Sequence, residues 1–119
     1  MRKTYYILSL AFFLGFVSVY AQTDDTKKAD KYFQRLEYVK AIEEYEDLVE
    51  DGDGTPYIYH QLAEAYFNIY NTEKSEYYYK MYIQEADDVD GTVYYRYAQM
   101  LKANQKFDES NEAMKKFAS

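Results

Sequence analysis

From Lys27 onward, apolar residues recur at helical spacing in six short runs, each bounded by turn residues. The first run spans about Lys27 to Leu36. The second, Tyr38 to about Glu50, places Tyr38, Ala41, Ile42, Tyr45, Leu48 and Val49 on one helical face. Asp51-Gly52-Asp53-Gly54 ends it, because glycine accepts the left-handed backbone of a helix stop. Thr55-Pro56 caps and starts a third helix to about Ile69. Asn71-Thr72 breaks that helix and caps a fourth, which reaches about Glu85. After the turn Asp87 to Gly91, a fifth helix is predicted over Thr92 to Ala103 and a sixth over Phe107 to Phe117.

The runs repeat. Tyr59, Leu62, Ala63, Tyr66, Ser75 and Tyr79 have counterparts 34 residues earlier in Ala29, Tyr32, Ala41 and Tyr45. Moved 35 residues forward, they meet Tyr94, Tyr97, Ala98, Leu101, Ser110 and Met114. Small residues mark where two antiparallel helices approach: Ala29, Ala63 and Ala98 on the first helix of each pair, and Ala41, Ser75 and Ser110 on the second. One pair cannot cover its own apolar face, so the pairs are expected to stack.

The first 21 residues differ in kind. Arg2 and Lys3 precede a run from Tyr5 to Val19 with no charge, and Val19 and Ala21 stand at the −3 and −1 positions of a small-residue cleavage site. The pattern predicts a signal peptide over residues 1–21 and a domain over 22–119, with repeats at about 22–55, 56–90 and 91–119. The alternative is an uncleaved anchor. Losing the segment, which holds two bases and no acid, takes the formal charge from −7 to −9. So acidic a chain suits neither nucleic acid nor an anionic membrane surface. With no cysteine in the sequence there is no disulfide, no thiol chemistry and no lipid-anchored N-terminus. The 17 tyrosines suit a thin fold in which rings are buried and hydroxyls stay polar.

The repeat length and the residues at its fixed positions resemble the tetratricopeptide repeat family, with the second repeat (Tyr59, Leu62, Ala63, Tyr66, Ser75, Tyr79) closest to its signature. The resemblance implies an all-α, helix-turn-helix solenoid of three repeats and six helices whose first helices line a concave groove. Carried over, the groove positions are Asp30, Phe33 and Gln34; Tyr57, His60, Glu64, Phe67 and Asn68; and Tyr95, Gln99 and Lys102. Such a surface grips a protein or peptide partner. More narrowly, a signal segment followed by repeats of the type Ala29-Asp30-Lys31-Tyr32-Phe33 is similar to the start of Bacteroidota OmpA-family envelope proteins, some of which serve type IX secretion and gliding. That resemblance implies a scaffold in the periplasm or at the outer membrane.

Candidate chemistry is sparse. His60 is the only histidine, too few for a zinc site. Asp51 and Asp53, or Asp87, Asp88 and Asp90, could gather around a cation, but with Gly91 at the glycine position of a calcium loop the first ligand would be Ala86 and the twelfth Tyr97. Neither a nucleophile–base arrangement nor a phosphate loop is present, so no cofactor, metal or enzymatic activity is expected. Glu43, Glu44, Glu46 and Glu50 read as a solvated face, and Tyr77 and Tyr78 as partly outside the core that Tyr79 enters.

At the start, Asp25 and Lys28 replace apolar residues of the other repeats, as on a solvent-facing end. At the far end Phe107, Met114 and Phe117, joined by Tyr94, Tyr97 and Leu101, have no polar covering. The expectation is either the leading part of a longer protein or self-association through the third repeat. The function expected is a non-catalytic protein–protein interaction module of the cell envelope. The rival is a glycan-binding component similar to SusD-like nutrient-capture proteins.

Overall fold

The computed structural model describes residues 24–119, so the expected signal segment, 1–21, lies outside the described residues. After a 3-10 turn at Asp24–Thr26 come six helices: α1 Lys27–Gln34, α2 Tyr38–Glu50, α3 Pro56–Asn68, α4 Thr72–Glu85, α5 Gly91–Ala103 and α6 Phe107–Ala118. The fold is all-α, and no strand occurs among the described residues. The principal contacts join helices consecutive in sequence, α1 with α2 through to α5 with α6.

The helix boundaries have local causes. The Thr55 hydroxyl accepts from the Ile58 amide at 3.3 Å, with Pro56 beginning α3. Asn71 caps α4 by accepting from the Lys74 amide at 3.2 Å. Asp90 caps α5, accepting from the Thr92 amide at 2.9 Å, so α5 starts at Gly91, one residue before the expected start. Helix α1 stops at Gln34 rather than Leu36 because Leu36 turns into the left-handed region, φ 62°. Tyr70 (φ 58°) and Gln105 (φ 65°) do the same at the other two short turns. In each turn the next amide reaches back to close the helix: Glu37 to the Tyr32 carbonyl, Asn71 to Tyr66 and Lys106 to Leu101. Gly52 (φ 85°) supplies the left-handed residue after α2. Gly54 is needed for space, since a Cβ there would lie 2.5 Å from the Tyr59 hydroxyl.

The small residues meet as expected. Ala29, Ala41, Ala63, Ser75, Ala98 and Ser110 are all buried. Ser75 Oγ donates to the Ala63 carbonyl at 2.9 Å and Ser110 Oγ to the Ala98 carbonyl at 2.7 Å, so both serines bond the helix they pack against. Around these contacts one large cluster runs from Ala29 through Tyr45, Leu62 and Tyr79 to Met100. A much smaller one, Ala98, Leu101 and Ala113, joins α5 to α6. Asp25 and Lys28 are exposed, as expected.

Three sequence expectations need correction. Tyr78 is 5% exposed, with its ring stacked near those of Tyr59 and Tyr66; only Tyr77, 53% exposed, is outside. Glu46 does not belong to the solvated face of α2, because it receives two tyrosine hydroxyls. Leu101 does not join an uncovered side: it is wholly buried between α5 and α6, and Tyr95 is the exposed large apolar residue of that helix instead. In each case a helix position that sequence spacing places at the flank is covered by a neighbouring helix.

Candidate functional site

The expected groove residues have different fates. Asp30 is not at the surface. It is 3% exposed and accepts from Thr26 Oγ1 at 2.9 Å, from the Tyr57 hydroxyl at 2.8 Å and from the Tyr45 hydroxyl. Tyr57 is thereby turned inward, and burial beside Asp30 pushes its hydroxyl up to about 12. The same causes, burial first and Asp30 second, raise Tyr45 further. Glu64 is largely covered as well, accepting from Tyr79 and Arg96.

These contacts follow one scheme. A carboxylate on one helix receives donors from the next two. Asp30 on α1 joins α2 and α3; Glu46 on α2 accepts from Tyr66 of α3 at 2.7 Å and Tyr78 of α4 at 2.9 Å. Glu64 on α3 joins α4 and α5. Glu76 on α4 accepts from Asn104 Nδ2 at 2.9 Å and Lys106 Nζ at 2.7 Å, on either side of the α5–α6 turn. Desolvated carboxylates are tolerable only with such satisfaction, and no buried side-chain polar atom among the described residues lacks a partner. The tyrosines are therefore hydrogen-bond donors to the scaffold as much as apolar filling.

The remaining expected residues stay accessible. Phe33 is half-buried, edge-on to Tyr38 at 5.5 Å. Gln34 is exposed beyond it. His60 is half-buried and stacks on Tyr82 at 4.5 Å, with Nε2 3.7 Å from Glu64. Burial lowers its pKa below the usual value, against the opposing pull of the Glu64 carboxylate. Phe67 is half-buried and carries the Arg96 guanidinium over its ring at 5.2 Å. Asn68 is exposed and donates to the Glu64 carbonyl at 2.7 Å. On α5, Gln99 Nε2 donates to the Tyr95 hydroxyl at 3.1 Å, and Lys102 is exposed.

Four of the expected residues, Phe67, Tyr95, Gln99 and Lys102, come together in a cavity of about 660 Å³ between the end of α3 and the faces of α5 and α6. Tyr70, Ala98, Met100 and Ala103 also line it, and Phe107, Ser110, Asn111 and Met114 form the α6 side. Lys102 is the only charged residue in this lining. Asp30, Phe33, Gln34, Tyr57, His60, Glu64 and Asn68 lie elsewhere.

The carried-over groove positions, all on first helices, leave out the α6 wall, although Phe107 and Met114 read as uncovered in the sequence. Its signal was the i, i+4, i+7 stripe Phe107, Asn111, Met114. Register explains the cavity. Asp30 and Glu64 each follow the close-packed alanine by one residue; the third counterpart is Gln99. Tyr45 and Tyr79 each lie four residues after the small residue of the second helix; the third counterpart is Met114. The donors Gln61, which reaches the Tyr45 hydroxyl at 3.3 Å, and Arg96 come from the following hairpin. At α5 and α6 the carboxylate and the tyrosine give way to Gln99 and Met114, which border an open, mostly apolar surface.

No family model, curated protein or solved structure matches the chain. Among the described residues, no group of three or more His, Asp or Glu could hold a metal ion, and no helix is long and apolar enough to cross a membrane.

Proposed function

We propose that residues 22–119 form a tetratricopeptide-type solenoid of three repeats on an exported chain, and that it acts as a non-catalytic protein-interaction scaffold of the cell envelope. The solenoid reading is supported by recurrence at 34 and 35 residues of three features: the close-packed small residues, the left-handed turn residues Leu36, Tyr70 and Gln105, and the amides that close each turn. Export rests on the sequence of residues 1–21 alone, and the OmpA-family scaffold role on the resemblance of the repeats.

The observation that carries the interaction reading is the α5–α6 cavity. Its apolar walls carry a few polar groups, Gln99, Asn111 and Lys102, which is the composition of a recognition surface. Binding there uses shape and apolar burial to hold a partner segment, with Lys102 favouring a carboxylate near the contact. The inward-facing carboxylates are consumed by the scaffold, leaving them no role at the surface.

A photo-crosslinking residue placed at Tyr95, with another at the exposed Lys80 as control, tests this in intact cells. The expected result is a discrete protein adduct at Tyr95 and none at Lys80. Equal labelling at both positions, or recovery of soluble glycans on the purified chain in place of any protein, overturns it and favours the glycan-binding rival.

A further inference from the structure

Five of the nine large apolar residues that the described residues expose gather at one end: Tyr70, Tyr95, Phe107, Met114 and Phe117. Phe107 is 56% exposed and Met114 36%. On α6 they lie on one side of a helix whose charges are divided along its length. Asp108, Glu109 and Glu112 occupy the first two turns, and Lys115 and Lys116 the last. A helix that is apolar along one stripe, acidic at its start and basic at its end is complementary to itself when reversed.

We propose that this face is covered by a second copy of the same chain, with α6 antiparallel to α6 of the second copy across a two-fold axis. This rests on the reading of the α5–α6 cavity as an interaction site and names its occupant. Antiparallel pairing centred between Asn111 and Glu112 sets Asp108 of each copy opposite Lys115 of the other and brings the two Met114 stripes together. A two-fold contact requires such a self-complementary patch. The other way to stack copies, α1 of one against α6 of the next, matches poorly. The position that is Ala65 in α3 and Met100 in α5, buried in both, is the exposed Lys31 in the first repeat. That end of the chain presents charge where apolar contact is needed.

The contact is limited in size. A helix of 12 residues is about 18 Å long. Its expected affinity is accordingly micromolar, governed by the apolar stripe, while the end charges set the direction of pairing.

Sedimentation equilibrium of the full chain, as processed by cells that produce it, is the test. The expected result is a monomer–dimer equilibrium in the micromolar range. Met114→Lys should make the chain monomeric with its helical circular dichroism intact. Lys115→Glu, at an exposed position whose pairing with Glu112 is also exposed, does not touch the core and should weaken the dimer about tenfold. Asp108→Lys with Glu112→Lys should weaken it similarly. Mixing the Lys115→Glu chain with the Asp108→Lys/Glu112→Lys chain should restore association as a mixed dimer; parallel pairing, which sets Lys115 opposite Lys115, would not be weakened by Lys115→Glu alone. A wild-type chain that stays monomeric to millimolar concentration overturns the proposal, as does a dimer indifferent to both Met114→Lys and Lys115→Glu. A monomer that still crosslinks a different protein through Tyr95 defeats the dimer and leaves the interaction reading standing.

Discussion

Ser75 Oγ donates to the Ala63 carbonyl at 2.9 Å, and neither residue has any solvent exposure. The bond fixes the distance at which α3 and α4 pass each other, leaving no room for a longer side chain on either helix. Ala63→Leu should therefore destabilise the fold by about 1–3 kcal/mol through overpacking. Substituting the exposed Lys80 by leucine should have almost no effect. Urea unfolding of both variants checks the contrast; equal midpoints would mean that the hairpin contact is not tight.

Asp30 is the hub of the first junction, holding Thr26, Tyr45 and Tyr57 from three elements. Asp30→Ala leaves several hydroxyl groups inside without their acceptor and should cost about 3 kcal/mol. Tyr45→Phe removes one donor while Asp30 keeps the others, so it should cost only about 1 kcal/mol. Thermal melts of the two variants give the order. A reversed order would place the stabilisation in the tyrosine rather than the carboxylate.

Alkaline pH should unfold the domain through its tyrosines. Burial, then the adjoining carboxylates, raises the Tyr57 pKa from 10 to about 12, and raises those of Tyr45, Tyr66, Tyr78 and Tyr79 above that. A pKa raised in the folded state means that the unfolded chain loses its proton first. The stabilisation is thus complete below about pH 10 and declines as pH rises through the folded values. The absorbance of the buried tyrosinates should rise in a late cooperative phase coincident with loss of helix. A single phase near pH 10, with helix retained, would refute the hydroxyl–carboxylate scheme.

Gln105 holds a left-handed backbone, φ 65°, that costs a side-chain-bearing residue about 1 kcal/mol relative to glycine. Gln105 is exposed and takes no part in the cavity lining. Gln105→Gly should raise the melting temperature by a few degrees, the gain reduced by the greater freedom of glycine in the unfolded chain. A lower melting temperature would show that unfolded-state entropy outweighs relief of the turn.

The site was less legible than the fold. Carrying over first-helix positions identified Phe67, Tyr95, Gln99 and Lys102 of the cavity but also selected Asp30 and Tyr57, which bond each other inside. The two sets look alike in sequence, since polar and aromatic residues on a helix read as surface unless their partner is known. Tyr57 and Asp30 are 27 residues apart, and nothing local indicates that one neutralises the cost of burying the other.

The sequence by itself determined the six helices, their turns and the small residues at which paired helices touch. All of these follow from 3.6-residue periodicity, caps and side-chain size, which act within a few residues of one another. The tertiary structure alone decided which carboxylates are solvated and which join helices, and therefore why this acidic chain carries so many tyrosines. It also decided that Tyr78 and Leu101 lie inside while Tyr95, Phe107 and Met114 border an open cavity. Those outcomes depend on what a neighbouring helix places against a helix face, and burial is a property of that contact rather than of the residue.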